Sequence, residues 1–339
     1  MKIGKIQRKS ALAAACLLLF LAAVPRVARG ALAIDTKKTD CSMAFSVSDD
    51  FGELDSLLIP VTVYRIADVN VSGQYLPDSA YSGIGLDQVS ASTTAAEWEE
   101  MAEEAARITA PGALDEEGGI IEGELPTGDG ETTLNAPDGG AIRNLETGMY
   151  LVLAAPVDSA EYTYSFNPYL VSVPGNAYDG VQNNDDTWIY DVDVTLKPNR
   201  ENRLGDLVIS KTIDIYQPLG AGERTMFVFQ VEVSKPGEAG APDQIYYSNV
   251  VSLDFTAAGT QTLRIEDLPA GAVAIVTEVY SGASYTIPAA EATVTSAPIA
   301  AEAEVSVSFN NRYNGGLNGG TGVVNHFEHD GTAWGWETQ

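Results

Sequence analysis

Trp188-Ile-Tyr-Asp-Val-Asp-Val-Thr-Leu-Lys-Pro-Asn-Arg-Glu-Asn-Arg-Leu-Gly-Asp-Leu-Val-Ile-Ser-Lys211 decides how the chain is organised. It closes one β-rich region at Leu196, passes a short polar linker at 201–205 and opens a second region at Leu207. It also carries Lys197 and Lys211, two of the few lysines outside the first 33 residues. The others are Lys37, Lys38 and Lys235. In a chain this poor in lysine, one that interrupts an apolar strand requires a reason.

Outward from this stretch, the strand signals are short, apolar and spaced by turn residues. Towards the N-terminus they fall at Ser42–Val47, Ile59–Ile66, Ile142, Met149–Ala154, Tyr162–Val173 and Thr187–Leu196. Towards the C-terminus they fall near Leu207–Ile213, Met226–Val233, Ile245–Leu253, Thr262–Ile265, Ala272–Val279 and Glu304–Asn311. Short strands at this spacing, without a helical period, predict β-sandwiches. One segment has the helical period. Thr94 and Glu97 form a capping box ahead of an apolar stripe of Trp98, Met101, Ala102, Ala105 and Ile108, and Pro111-Gly112 ends it. The helix is expected to lie on a sheet, inside an insertion at about 70–140. Residues 110–140, rich in Gly, Pro and acids, are expected to be loop. The fold class is therefore all-β: tandem immunoglobulin-like sandwiches at 34–200 and 206–313, with a Gly/Asn-rich tail at 314–339.

An internal repeat supports two related sandwiches. Asn144-Leu-Glu-Thr-Gly-Met-Tyr-Leu-Val-Leu-Ala-Ala155 aligns with Asp267-Leu-Pro-Ala-Gly-Ala-Val-Ala-Ile-Val-Thr-Glu278. Each is a Leu-x-x-Gly turn leading into an apolar strand, and Ala155 stands where the second copy has Glu278.

Residues 1–33 read as a secretory signal: Lys2, Lys5, Arg8 and Lys9, then an apolar run from Ala11 to Val24, then Ala31-Leu-Ala33 for cleavage. The run is too short for a stable membrane span in the mature chain. Cleavage leaves Cys41 as the lone cysteine, so no internal disulfide is available. It also leaves 13 basic against 47 acidic residues, a net charge of −34. Such a surface disfavours nucleic acid and anionic lipid as partners.

Lys211, Glu278 and Asn311 each sit where a strand should be apolar. Burial of a lone lysine or carboxyl favours the neutral form. A neutral amine is a nucleophile, and a protonated carboxyl can polarise an amide. Beside an asparagine, these groups could form a Lys–Asn isopeptide with release of ammonia. The order of strand-one lysine, Leu-Pro-x-Gly with a glutamate on the following strand, and Phe309-x-Asn311-x-Tyr313 resembles the Cna-B-like domains of Gram-positive surface proteins and pilins. The resemblance implies a Lys211–Asn311 cross-link promoted by Glu278, with Asn310 as the adjacent alternative partner. A link across about 100 residues is worth about 4–5 kcal/mol by the chain-entropy account.

Trp188, Val192, Val194 and Lys197 fit W-x-x-x-V-x-V-x-x-K, which resembles the pilin motif of sortase-assembled shaft subunits. Thr195-Leu196 replaces the usual Tyr-Pro. The resemblance implies that Lys197 is the acceptor for a sortase. A donor would need an LPxTG-like motif, an apolar span and a basic tail, and Thr321-Gly322 after Gly319-Gly320 departs from that pattern. The expected function is a secreted structural subunit at the cell surface, pilin-like or adhesin-like, with other pilin or cell-wall subunits and a sortase as partners. The alternative is an adhesin whose insertion at about 70–140 binds a glycan or host protein.

Enzyme chemistry and cofactors are not indicated. No phosphate loop is present, and the only histidines, His326 and His329, lie in the tail. With Glu328 and Asp330 they make a weak metal pattern, and Asp185, Asp186, Asp191 and Asp193 lack the calcium-loop spacing, so no metal site is assigned.

Overall fold

A computed structural model describes residues 33–90, 92–114, 120, 125–176, 187–218, 224–237, 241–316, 326–329 and 334–337. The proposed signal at 1–33 lies outside these residues except at its last position. The strands are β1 (Cys41–Val47), β2 (Ile59–Val69), β3 (Tyr75–Pro77), β4 (Gly130–Leu134), β5 (Ala141–Leu145), β6 (Gly148–Ala154), β7 (Val157–Asp158), β8 (Tyr162–Phe166), β9 (Tyr169–Val173), β10 (Gly175–Asn176), β11 (Trp188–Ile189) and β12 (Asp191–Leu196). They continue with β13 (Pro198–Asn202), β14 (Leu204–Ile213), β15 (Thr225–Lys235), β16 (Gln244–Phe255), β17 (Gly259–Pro269), β18 (Val273–Tyr280), β19 (Tyr285–Thr286), β20 (Thr293–Thr295), β21 (Glu304–Tyr313), β22 (His326–His329) and β23 (Trp334–Glu337). One α-helix, α1, spans Ala95–Thr109. The chain divides into two units, Met1–Val157 with Ser165–Asn199, and Asp158–Tyr164 with Arg200–Gln339.

In the first unit, β12-β1-β5 form one sheet and β3-β2-β6-β9, with β4 also on β2, form the other. β6 is buried along its whole length. Alternation explains this: Met149, Leu151 and Leu153 pack under α1 with Met101, Ala105 and Ala106, so Tyr150, Val152 and Ala154 point to the opposite face. The helix is held at its start by the capping box. Thr94 accepts from the Glu97 N–H, and the Thr94 N–H donates to the Glu97 carboxylate at 2.6 Å. Its buried stripe is Met101, Ala102, Ala105 and Ala106, with Trp98 and Ile108 half-buried against the same cluster.

In the second unit, β17-β14-β21-β19 faces β16-β15-β18-β20. Their inward residues make one core that includes Leu207, Ile209, Phe227, Phe229, Val276, Tyr285, Val307 and Phe309. This is the all-β tandem sandwich arrangement, with a helix-bearing insertion in the first copy. The repeat is visible in the backbone: Asn144 and Asp267, at matching positions, adopt φ of 59° and 60°.

Several boundaries differ from the sequence reading. The supposed loop at 110–140 contains β4, paired with β2 from Ile59↔Leu134 to Val63↔Gly130. A side chain at Gly130 would meet the Ile142 methyl at 2.4 Å, so this glycine marks close packing within a strand rather than a turn. The insertion thus falls between β2 and β4, short of residue 140. The run Tyr162–Val173 is two strands, β8 and β9, separated at Asn167-Pro168. The expected linker at 201–205 is mostly strand, ending β13 and beginning β14. Arg203, between them, is anchored by donating to Ser159 O at 2.8 Å and to Glu302 Oε1 at 2.9 Å. Polar composition suggested a linker, but exposed strands are polar as well. In the tail, β22 and β23 pair antiparallel.

Candidate functional site

Lys211 lies on β14, the first strand of the second sandwich, and Asn311 on β21, the last. The two strands are parallel neighbours, with Lys211 opposite Phe309 and Ile213 opposite Asn311. Glu278 comes from β18 in the opposing sheet. All three occupy inward positions of strands that otherwise alternate apolar-in and polar-out, so they meet in the core. Lys211 is 0% exposed, Asn311 2% and Glu278 6%. Asn310, the alternative partner, is on the outward phase of the same strand and is exposed.

The contacts are direct. Lys211 Nζ lies 2.7 Å from Glu278 Oε2. Asn311 Nδ2 donates to Glu278 Oε1 at 2.5 Å and to the Ser281 carbonyl at 3.2 Å. One carboxyl therefore spans the amine and the amide. Asn311 Oδ1 is buried without a hydrogen-bond partner among the described residues. The Phe227 ring lies 4.6 Å from Lys211 Nζ, and Phe229 and Phe309 pack on each other at 5.0 Å between centroids. Phe309 lies opposite Lys211, and Phe229 opposite Glu278, in the strand pairing.

Burial sets the protonation. Desolvation pushes the Lys211 ammonium below its ordinary pKa, against the opposing pull of Glu278. Desolvation pushes the Glu278 carboxyl up, against Lys211 and Asn311. Both shifts favour a neutral amine beside a neutral acid. The arrangement can thus support attack of an amine on a carboxamide, with the carboxyl moving protons between them.

Lys235 is the instructive contrast, and the sequence did not single it out. It is also buried, but it pairs with Glu161 at 2.9 Å and lies over the Tyr162 ring at 4.6 Å. Desolvation opposes its charge, yet Glu161 and Tyr162 together raise its pKa. Glu161 is partly open to solvent. Lys235 is held as a cation, so it is not poised as a nucleophile.

The residues of the other motif lie in the first unit. Val194 is buried, Val192 is half-buried, and half-buried Trp188 packs against the core beneath α1. Lys197 follows β12, half-buried, and its backbone N–H donates to the Tyr169 hydroxyl at 3.1 Å. Trp188, Val192 and Val194 therefore hold strands in place, and Lys197 ends them. Among the described residues no group of His, Cys, Asp and Glu is placed to hold a metal ion. The side chains of His326 and His329 lie outside what is described. No described helix is long and apolar enough to cross a membrane.

Residues 207–314 match a family described as a domain of unknown function, DUF5979, a span covering about a third of the chain. Among solved structures, the chain is similar to GBS52, the minor pilin of Streptococcus agalactiae, at 14% identity, covering 81% of this chain and 95% of that one, with a TM-score of 0.23. It is similar to the full-length major pilin SpaD of Corynebacterium diphtheriae at 11% identity, covering 83% and 99%, with a TM-score of 0.26. It is also similar to the pilus-presented adhesin Spy0125 at 17% identity and a TM-score of 0.24, covering 50% of this chain and 38% of that one. A search of curated proteins finds no match. TM-scores this low do not carry the fold assignment, which rests on the strand order and registers above.

Proposed function

We propose that the chain is a secreted structural subunit of a cell surface, pilin-like or adhesin-like, whose second sandwich closes itself with a Lys211–Asn311 isopeptide bond promoted by Glu278. The observation that carries this reading is the buried Glu278 carboxyl bridging Lys211 Nζ and Asn311 Nδ2. A core gains little stability from burying a lysine with a carboxyl, because the cost of desolvating them offsets their attraction. The same trio gains a purpose as reactants.

In the reaction, Lys211 Nζ attacks Asn311 Cγ. Glu278 takes a proton from Nζ at Oε2 and returns one to Nδ2 from Oε1. The Cγ–Nδ2 bond breaks and ammonia leaves. The product joins the first and last strands of the unit and places the covalent path between two neighbouring parallel strands. Pulling force on that unit then passes through the link instead of unzipping the sheets. Proteolysis followed by tandem mass spectrometry tests this: a branched peptide joining the Lys211 and Asn311 segments is expected, and separate unmodified peptides overturn the bond.

Lys197 is proposed as the acceptor through which such subunits are joined by a sortase. The resemblance in its flanking motif and its place directly after β12 support that reading. Wall extracts of cells carrying the gene are expected to show high-mass ladders that Lys197→Ala abolishes. Ladders unchanged by the substitution exclude Lys197 as the acceptor.

A further inference from the structure

The turn between β18 and β19 reaches back into the buried trio, and no sequence motif pointed to it. Ser281-Gly282-Ala283-Ser284 connects the strand of Glu278 to a short strand paired with that of Asn311, Tyr285 lying opposite Tyr313. The Asn314 N–H donates to the Ser284 carbonyl at 3.0 Å, tying the turn to the end of β21. Gly282 adopts φ +81°, and a Cβ there would meet the Tyr285 ring at 3.1 Å and the Phe227 ring at 3.4 Å. A left-handed glycine in a closed space is what lets the chain present the Ser281 carbonyl to Asn311.

Two oxygens converge on Asn311 Nδ2: Glu278 Oε1 and Ser281 O. The Ser281 carbonyl can only accept. An amide turned the other way would put Oδ1 against that carbonyl, oxygen to oxygen. The turn therefore fixes which end of the amide faces Glu278, even though Oδ1 is left without a partner. An aspartate in this place has no N–H to offer. It would bring a third set of oxygens to Ser281 and Glu278 and require an added proton.

We propose that the Ser281 carbonyl, held by the Gly282 turn, selects a carboxamide rather than a carboxylate as the acyl partner of Lys211. It does so by holding Nδ2, the leaving nitrogen, against Glu278. The proposal rests on the cross-link reading above and names Ser281 as a positioning group for it. In the selected reaction Nζ–Cγ forms, Cγ–Nδ2 breaks, and the proton lost by the amine leaves with ammonia. With a carboxylic acid the leaving group is water, and departure next to Ser281 and Glu278 lacks the two N–H donors that fix the amide.

The test is a mass-spectrometric time course of linkage in the full chain, released from denaturant, across a range of pH. The wild-type chain loses ammonia. Asn311→Asp is expected to lose water about tenfold or more slowly at neutral pH, because a buried donor has been removed from two acceptors. Its deficit relative to wild type is expected to shrink as pH falls and the introduced carboxyl gains a proton. In the Gly282→Ala background, which displaces the Ser281 carbonyl, the ratio of Asn to Asp rates is expected to move towards one. A loss of stability alone would slow both partners and leave that ratio unchanged. Equal rates for wild type and Asn311→Asp at neutral pH, or a ratio insensitive to Gly282→Ala, overturn the selection. A wild-type chain that never links overturns the cross-link itself, so the two failures are distinct.

Discussion

In the first unit β1 lies between β12, parallel to it, and β5, antiparallel to it; in the second, β14 lies in the same way between β21 and β17. The second sheets correspond as well. β2 pairs with β4 and β6 as β15 pairs with β16 and β18. Cys41 lies opposite Leu145, and Gly205 opposite Leu268, the two leucines of the repeat. Counting on equally from these anchors brings Val47, opposite Leu196, to the position of Lys211, opposite Phe309. Pro198 then falls where Asn311 stands, Lys197 falls where exposed Asn310 stands, and Ala155, just past the end of β6 at Ala154, stands where β18 carries Glu278. The same topology thus exists with and without the reactive trio. Apolar alternation and turn geometry set the architecture, and three substitutions at inward positions add the chemistry. The first unit differs in a further way, covering its second sheet with α1, whereas the second unit leaves Met226, Ile275 and Tyr280 exposed on that sheet.

Substitutions that touch one unit and spare the other sharpen this contrast. The largest effect is expected for Asn311→Ala, which removes the acyl group and leaves the Lys211–Glu278 pair. Loss of the link should lower the stability of the second unit by about 4–5 kcal/mol. Calorimetry should show one transition falling by about 20 °C or more while the other stays in place. Two transitions that move together would break the comparison. Next, Met101→Ala should cost the first unit about 2–4 kcal/mol by opening a cavity between α1 and β6, with the rate of linkage in the second unit unchanged.

The rate of bond formation should depend on pH in a bell. The lowered pKa of Lys211 keeps its amine free to lower pH than an ordinary lysine, and below that point protonation blocks attack. The raised pKa of Glu278 keeps its acid form to higher pH than usual, and above that point the proton donor is lost. Past either edge the rate should fall about tenfold per pH unit, equivalent to about 1.4 kcal/mol. A flat profile measured by mass spectrometry would remove both groups from the mechanism. The smallest effect is Thr94→Ala, which deletes the helix cap and should cost the first unit about 1 kcal/mol in chemical denaturation.

Most of the architecture was legible because strands and the helix announce themselves by period. The capping box at Thr94 and Glu97 and the inward phase of Lys211, Glu278 and Asn311 could each be read from neighbouring residues. Phase also separates Asn311 from Asn310 once the strand is in place. Other features depend on partners remote in sequence. β4 is hidden by its Gly and acid content and is a strand because β2 pairs with it. β19 and β20 are too short to show a period. The Lys235–Glu161 pair joins residues far apart, and only the fold distinguishes its charge state from that of Lys211. The Ser281 carbonyl belongs to the backbone, so no residue type could mark it.

The central claim is most directly tested by the intact mass of the chain with wild-type sequence, measured beside Glu278→Ala. The wild-type chain is expected to be lighter than its sequence by one ammonia, and the Glu278→Ala chain to match its sequence. A wild-type mass equal to the unmodified sequence, with the Lys211 and Asn311 peptides recovered separately, would contradict the account.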